Sequence, residues 1–173
     1  GKLLYGHQGF AGELGHTTIR PGLCNRECDC GKKGCLETYV SATGLKRTLL
    51  KVMADSIAPS ELRKFSFDQL DAEMINTAAK KGDPIALAAF ERTGIILGFK
   101  LADVISHLNP EAIFLFGGLA QAKELIFEPA RRSMEENLLH IYKDKVKLLP
   151  SKLSTKNAAV LGASSLIWSL RES

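Results

Sequence analysis

Four cysteines, Cys24, Cys28, Cys30 and Cys35, fall within twelve positions of the chain, and His16 stands shortly before them in the same glycine-rich stretch. Thiolates and imidazoles are the ligands zinc prefers, four of them in a tetrahedron. His16, Cys28, Cys30 and Cys35 supply such a set, and Gly31 and Gly34 let the backbone fold tightly between the last two cysteines. Three thiolates and one imidazole close the coordination shell, so no metal-bound water is available and the metal's role is structural. Cys24 is the spare, and spacing alone leaves open whether it or Cys28 is the first cysteine ligand. Disulfides are the competing use of these thiols, but a reducing cytoplasm disfavours them.

The elements that must position these residues follow from periodicity. Lys2 to Tyr5 suits a short strand, followed by a loop punctuated by Gly6, Gly9 and Gly12. Residues 20–35 have almost no apolar side chains to bury, so something other than a hydrophobic core must hold them. A helix is predicted from Leu36 to about Met53, with a kink at Gly44, and a second from about Asp68 to Lys81, stopped by Gly82. Asp83-Pro84 reads as N-cap and first residue of a helix running to about His107, apolar enough to be the central buried one. Asn109-Pro110 ends it.

Ala112 to Phe116 is a continuous apolar run, as expected of a strand covered on both faces. Gly117-Gly118 turns the chain into a helix of about Ala120 to Leu138. A strand over Val146 to Leu149 and a helix over about Asn157 to Leu170 complete an alternation that argues an α/β layer with parallel strands. Trp168 and the aromatics around Phe114 are read as core, His107 as a helix C-terminal residue, and His7 and His140 as surface.

At 173 residues, 45% hydrophobic and 24% charged, with a formal charge of +4, the chain has the makings of a globular domain. Fibrous and disordered classes are excluded. Its basic residues are dispersed, which does not favour a nucleic-acid surface. No apolar run reaches the roughly 20 residues a bilayer span needs, and no secretory signal pattern opens the chain, so no membrane association and a cytoplasmic location are expected. Without an initial Met, and opening on what reads as a turn between strands, it is expected to be the C-terminal part of a longer protein.

Glu13-Leu14-Gly15-His16 followed by Cys28-Asp29-Cys30-Gly31-Lys32-Lys33-Gly34-Cys35-Leu36-Glu37 resembles the motif pair of the ROK family (repressors, open reading frames and sugar kinases). The similarity continues through Gly82-Asp83-Pro84, Asn109-Pro110-Glu111, Gly117-Gly118 and Ala159-Val160-Leu161-Gly162-Ala163. The resemblance implies the two-lobed actin-like, ribonuclease-H-like ATPase fold. Residues 1–173 would form its C-terminal lobe, with a zinc loop at about 13–37 and an α/β portion at about 84–173, and the N-terminal lobe would lie outside this chain.

In that family Glu13 and Glu37 match carboxylates at the sugar. His16 matches the residue that bonds zinc through one ring nitrogen while the other faces a sugar hydroxyl, and Gly117 and Gly118 match nucleotide-binding glycines. The activity implied is that of an ATP-dependent hexose kinase, closest to glucokinase-like members, using ATP with Mg²⁺ on a hexose or amino-hexose. The family's catalytic Asp and phosphate loop would precede Gly1, so no catalytic residue is assigned here and the chain alone is expected to be inactive. The alternative is a sugar-sensing transcriptional repressor, which would bind nucleic acid through an upstream helix-turn-helix. A homodimer is the expected assembly.

Overall fold

The computed structural model describes residues 3–19, 26–153 and 158–169. Among the described residues five α-helices and two strands follow in the order α1 (Ala42–Asp55), α2 (Ala72–Lys80), α3 (Pro84–Leu108), β1 (Ala112–Leu115), α4 (Glu124–Asn137), β2 (Lys147–Pro150) and α5 (Ala158–Ser169). Short 3-10 turns cover Leu14–His16, Leu36–Thr38, Glu61–Lys64 and Leu119–Ala122. β1 and β2 pair in parallel, with Ala112 opposite Lys147 and Leu115 opposite Pro150, and α4 connects them in sequence. The architecture is α/β, as the alternation predicts.

α3 is the central helix. Asp83 caps it, its carboxylate accepting hydrogen bonds from the backbone N–H groups of Ile85 and Ala86, and Pro84 occupies the first turn. Asn109 ends it in a left-handed conformation at φ 42°. Its buried face packs Ile85, Phe90, Leu101 and Ile105 into one core with Leu45 and Leu49 of α1, Ile75 of α2, and Ile126 and Met134 of α4.

The approach of α3 to α4 depends on two glycines. A Cβ on Gly98 would lie 2.1 Å from the Ala130 carbonyl oxygen, and one on Gly94 would lie 2.5 Å from Pro129 Cγ. Ser133 of α4 uses this proximity, donating its hydroxyl to the Ile95 carbonyl at 2.8 Å. An Arg132–Glu91 ion pair bridges the same two helices at the surface.

Several expectations are corrected. Leu3–Tyr5 form no strand: they are exposed and have no ladder partner among the described residues. The helix expected from Leu36 is broken, a 3-10 turn over Leu36–Thr38 giving way to α1 only at Ala42, where Ser41 Oγ accepts from Gly44 N. Gly44 therefore lies in a first helical turn and makes no kink; a Cβ there would sit 2.5 Å from the Tyr39 carbonyl carbon. α2 begins at Ala72 because the Asp71 side chain caps it.

α4 begins at Glu124 because Lys123, at φ 50°, interrupts the helix expected from Ala120. β1 is covered on one face only. Ile113 and Leu115 pack on the core, whereas Phe114 is 62% and Phe116 49% exposed, because no described element crosses their side of a two-stranded sheet. The reading of these aromatics as core is thus overturned. The Trp168 side chain, and the expected helix ends Asn157 and Leu170, lie outside the described residues. No helix among the described residues is long and apolar enough to cross a membrane.

Candidate functional site

The segment carrying the cysteines is fastened at both ends by backbone pairing. Ile19 N donates to Gly34 O at 2.9 Å and Leu36 N to Thr17 O at 2.9 Å, so the start and finish of the loop run side by side. Within it Cys28 N donates to Lys32 O and Gly31 N to Cys28 O, a tight turn that needs φ 84° at Gly31. Ile19, Leu36 and Tyr39 make a small apolar cluster beneath, packed against Leu14, Val40 and Ile96 of α3. These flanking residues anchor a loop that by sequence has almost no apolar side chains of its own.

The turn gathers His16, Cys28, Cys30 and Cys35, whose donor atoms all lie within 4.8 Å of one another. Cys28 Sγ is 3.6 Å from His16 Nδ1, and Cys30 Sγ is 3.6 Å from Cys35 Sγ. A tetrahedron with Zn–S of about 2.3 Å and Zn–N of about 2.0–2.1 Å has edges of about 3.5–3.8 Å, so both separations suit a zinc-sized ion. Cys24 lies outside the described residues.

Cys35 is fully buried, and burial, reinforced by the neighbouring Cys30 and Cys28 thiols, pushes its thiol up to about 11. The Cys30 thiol is held below its ordinary value, chiefly by a hydrogen bond from the Lys32 backbone. The Lys32 ammonium donates to the His16 carbonyl at 2.7 Å, tying the far side of the turn to the histidine.

His16 joins this cluster to two carboxylates. Its Nδ1 side meets Cys28 and lies 3.6 Å from Glu37 Oε2, while Nε2 lies 3.7 Å from Glu13 Oε2. Glu13 and Glu37 are largely exposed, their side chains 70% and 56% accessible, so their oxygens remain available to hydroxyl donors. Glu13, His16 and Glu37, all singled out in the sequence, thus come together around one imidazole.

Gly117 and Gly118 lie elsewhere, at the C-terminal end of β1. Gly117 adopts φ 100°, and a Cβ on either glycine would meet nothing within 4 Å, so the turn is an open backbone surface. Beside Gly118 is a cavity of about 430 Å³ bounded by Asn76 and Lys80 of α2, Phe90 of α3, Leu119 and Gln121. Asn76 Oδ1 is buried there and finds no donor among the described residues. The sequence offered no sign of this α2 wall, since Asn76 occupies an ordinary helical position.

The ROK family model matches residues 1–169. The glucokinase of Halalkalibacterium halodurans is 31% identical over 172 residues, covering 96% of this chain and 50% of the relative. The xylose repressor of Caldicellulosiruptor bescii is 29% identical over 168 residues, covering 97% and 41% respectively. The crystal structure of a ROK family glucokinase from Streptomyces griseus, in complex with glucose and AMPPNP, matches with a TM-score of 0.83 at 30% identity. That match covers 95% of this chain and 54% of the other. The chain spans about half the length of the glucokinases it matches. With the family model matching nearly its full length, the chain belongs to the ROK family.

Proposed function

We propose that the chain is the C-terminal lobe of an actin-like ATP-dependent hexose kinase, glucokinase-like in its substrate. The observation that carries this reading is the convergence of Glu13, His16 and Glu37 on one imidazole that is itself seated among three thiols. The two carboxylates accept hydrogen bonds from sugar hydroxyls, and His16 presents Nε2 to the same sugar. His16, Cys28, Cys30 and Cys35 hold a structural zinc. Bound there, the metal supplies no reactive water; it fixes the tautomer and orientation of His16.

The Gly117–Gly118 turn takes the nucleotide. Its open backbone admits close approach by a ligand, and the cavity beside Gly118, bounded by α2, Phe90 and Gln121, leaves room for one. The group that deprotonates the attacking hydroxyl, the phosphate loop and the Mg²⁺ that accompanies ATP belong to the other lobe. The 173-residue chain alone therefore turns over no sugar.

The glucokinase relatives, at 31% and 32% identity over 96% of the chain, favour a kinase parent. A sugar-sensing repressor is the second reading, favoured by the xylose repressor's match over 97% of the same chain. The test is an ATP-coupled phosphorylation assay on the full-length protein with glucose and N-acetylglucosamine. Turnover supports the kinase; sugar binding without turnover, joined to sequence-specific DNA binding, would replace it with the repressor.

A further inference from the structure

The loop that carries the cysteines is held by a side chain as well as by its cluster. Arg26, two residues before Cys28, is half-buried and turns away from the thiols toward α1. Its Nη1 donates to the Thr38 carbonyl at 2.9 Å and to the Gly44 carbonyl at 3.0 Å, and its Nη2 donates to Thr48 Oγ1 at 3.1 Å. The guanidinium also lies 4.1 Å from the centroid of the Tyr39 ring, a cation–π contact. Its own carbonyl accepts from Gly34 N at 2.9 Å, on the opposite arm of the turn.

One residue therefore joins three pieces of chain. These are the arm leading to Cys28, the arm leading to Cys35, and the junction between the turn that bears Glu37 and the first turns of α1. The acceptors lie 12 to 22 residues away in sequence, so the connection is tertiary. Only a planar guanidinium can serve three such acceptors and stack on a ring at once; an ammonium cannot reproduce the fork.

We infer that Arg26 is a positioning residue that pre-forms the cysteine loop against α1, setting how tightly His16, Cys28, Cys30 and Cys35 hold zinc. The inference rests on the zinc reading above. Outer partners that orient metal ligands are worth about 10–100-fold in metal affinity. Arg26 acts through the arm that leads to Cys28, which its carbonyl pairs with Gly34 N across the turn, without touching the metal or its ligands.

The test is zinc affinity of the full-length protein by competition with a chromophoric chelator, for wild type, Arg26→Met and Arg26→Lys, with helix content of the zinc-free forms followed by circular dichroism. Arg26→Met is expected to lose about 10–100-fold in affinity and Arg26→Lys to recover only part of it, with zinc-free helix content unchanged. Thr48→Val, which removes one acceptor and leaves the loop intact, is expected to fall between wild type and Arg26→Met. Affinity within about twofold of wild type in both Arg26 variants would overturn the inference, as would a loss explained by reduced helix content in the zinc-free chain. A wild-type chain that takes up no zinc would overturn the zinc reading and this inference together.

Discussion

Replacing Gly98 with alanine tests whether the α3–α4 crossing is as close as described, and with it the geometry that leads from α3 through β1 to the Gly117–Gly118 turn. The new Cβ would stand 2.1 Å from the Ala130 carbonyl oxygen and 2.7 Å from Met134 N. Both atoms are backbone, so no side-chain rotation relieves the clash. α4 must retreat by about 1 Å, and gaps of that size forfeit a quarter to a half of each van der Waals contact across the interface. Ile126, Ala130 and Met134, all fully or almost fully buried, would share that loss.

Overpacking of this kind costs typically about 1–3 kcal/mol, and the rigid neighbours put Gly98→Ala at the upper end or beyond. Alanine recovers about 1 kcal/mol through its better helix propensity. The net expectation is a loss of about 2 kcal/mol, or about 4–8 °C in melting temperature for a domain of this size. Urea denaturation and thermal melts of the two proteins measure it. A Gly98→Ala protein as stable as the parent would mean that propensity governs this site and the helices do not approach as closely as described.

Other expectations concern the site and the surface. Cys28→Ser should lower zinc affinity by several orders of magnitude, whereas Cys24→Ser should leave it unchanged, because Cys28 Sγ already stands 3.6 Å from His16 Nδ1; chelator competition reads both. In the full-length protein, Glu13→Gln and Glu37→Gln should each raise the sugar KM by about 10–100-fold, the worth of a hydrogen bond to a charged acceptor. Asp55, paired with Lys51 at 3.0 Å and Arg92 at 3.4 Å, is held below the usual carboxylate range, first by Lys51 and then by Arg92. Because its folded-state pKa lies below the unfolded one, its stabilisation is present above the unfolded value and disappears as pH falls through the folded value. Asp55→Asn should therefore lower the melting temperature slightly at about pH 7 and not at all near pH 2, the smallness reflecting an exposed pair.

Much of this fold is legible in local chemistry. Gly82 followed by Asp83 and Pro84 carries a stop, a cap and a first helical residue in consecutive positions, and the structure uses all three. The strand–helix–strand alternation after Asn109 likewise announces a parallel pair. Breaks that depend on tertiary contact are not legible. Nothing in the apolar periodicity between Leu36 and Met53 shows that Gly44 must pass against the Tyr39 backbone and so restart the helix at Ala42. A run such as Ala112 to Phe116 cannot reveal how many layers will cover it, and Phe114 is left exposed.

Residue type and spacing group His16 with Cys30, Cys35 and either Cys24 or Cys28, because few chemistries use three thiols and an imidazole so close together; it is the folded turn that puts Cys28 beside His16. Arg26 carries no such signature. Its role depends on acceptors at Thr38, Gly44 and Thr48, which only folding brings within reach. Asn76 is equally silent in sequence, since its place on the wall beside Gly118 depends on how α2 meets the Leu119–Ala122 turn.

The central claim is that His16 and three cysteines hold one zinc ion. Elemental analysis of the purified chain, with cobalt(II) substitution, tests it most directly. The account predicts one zinc per chain and a cobalt spectrum of tetrahedral type with thiolate charge-transfer bands, both lost in His16→Ala combined with Cys35→Ser. A chain that purifies without metal and takes up neither ion, or one whose metal survives those substitutions, would contradict it.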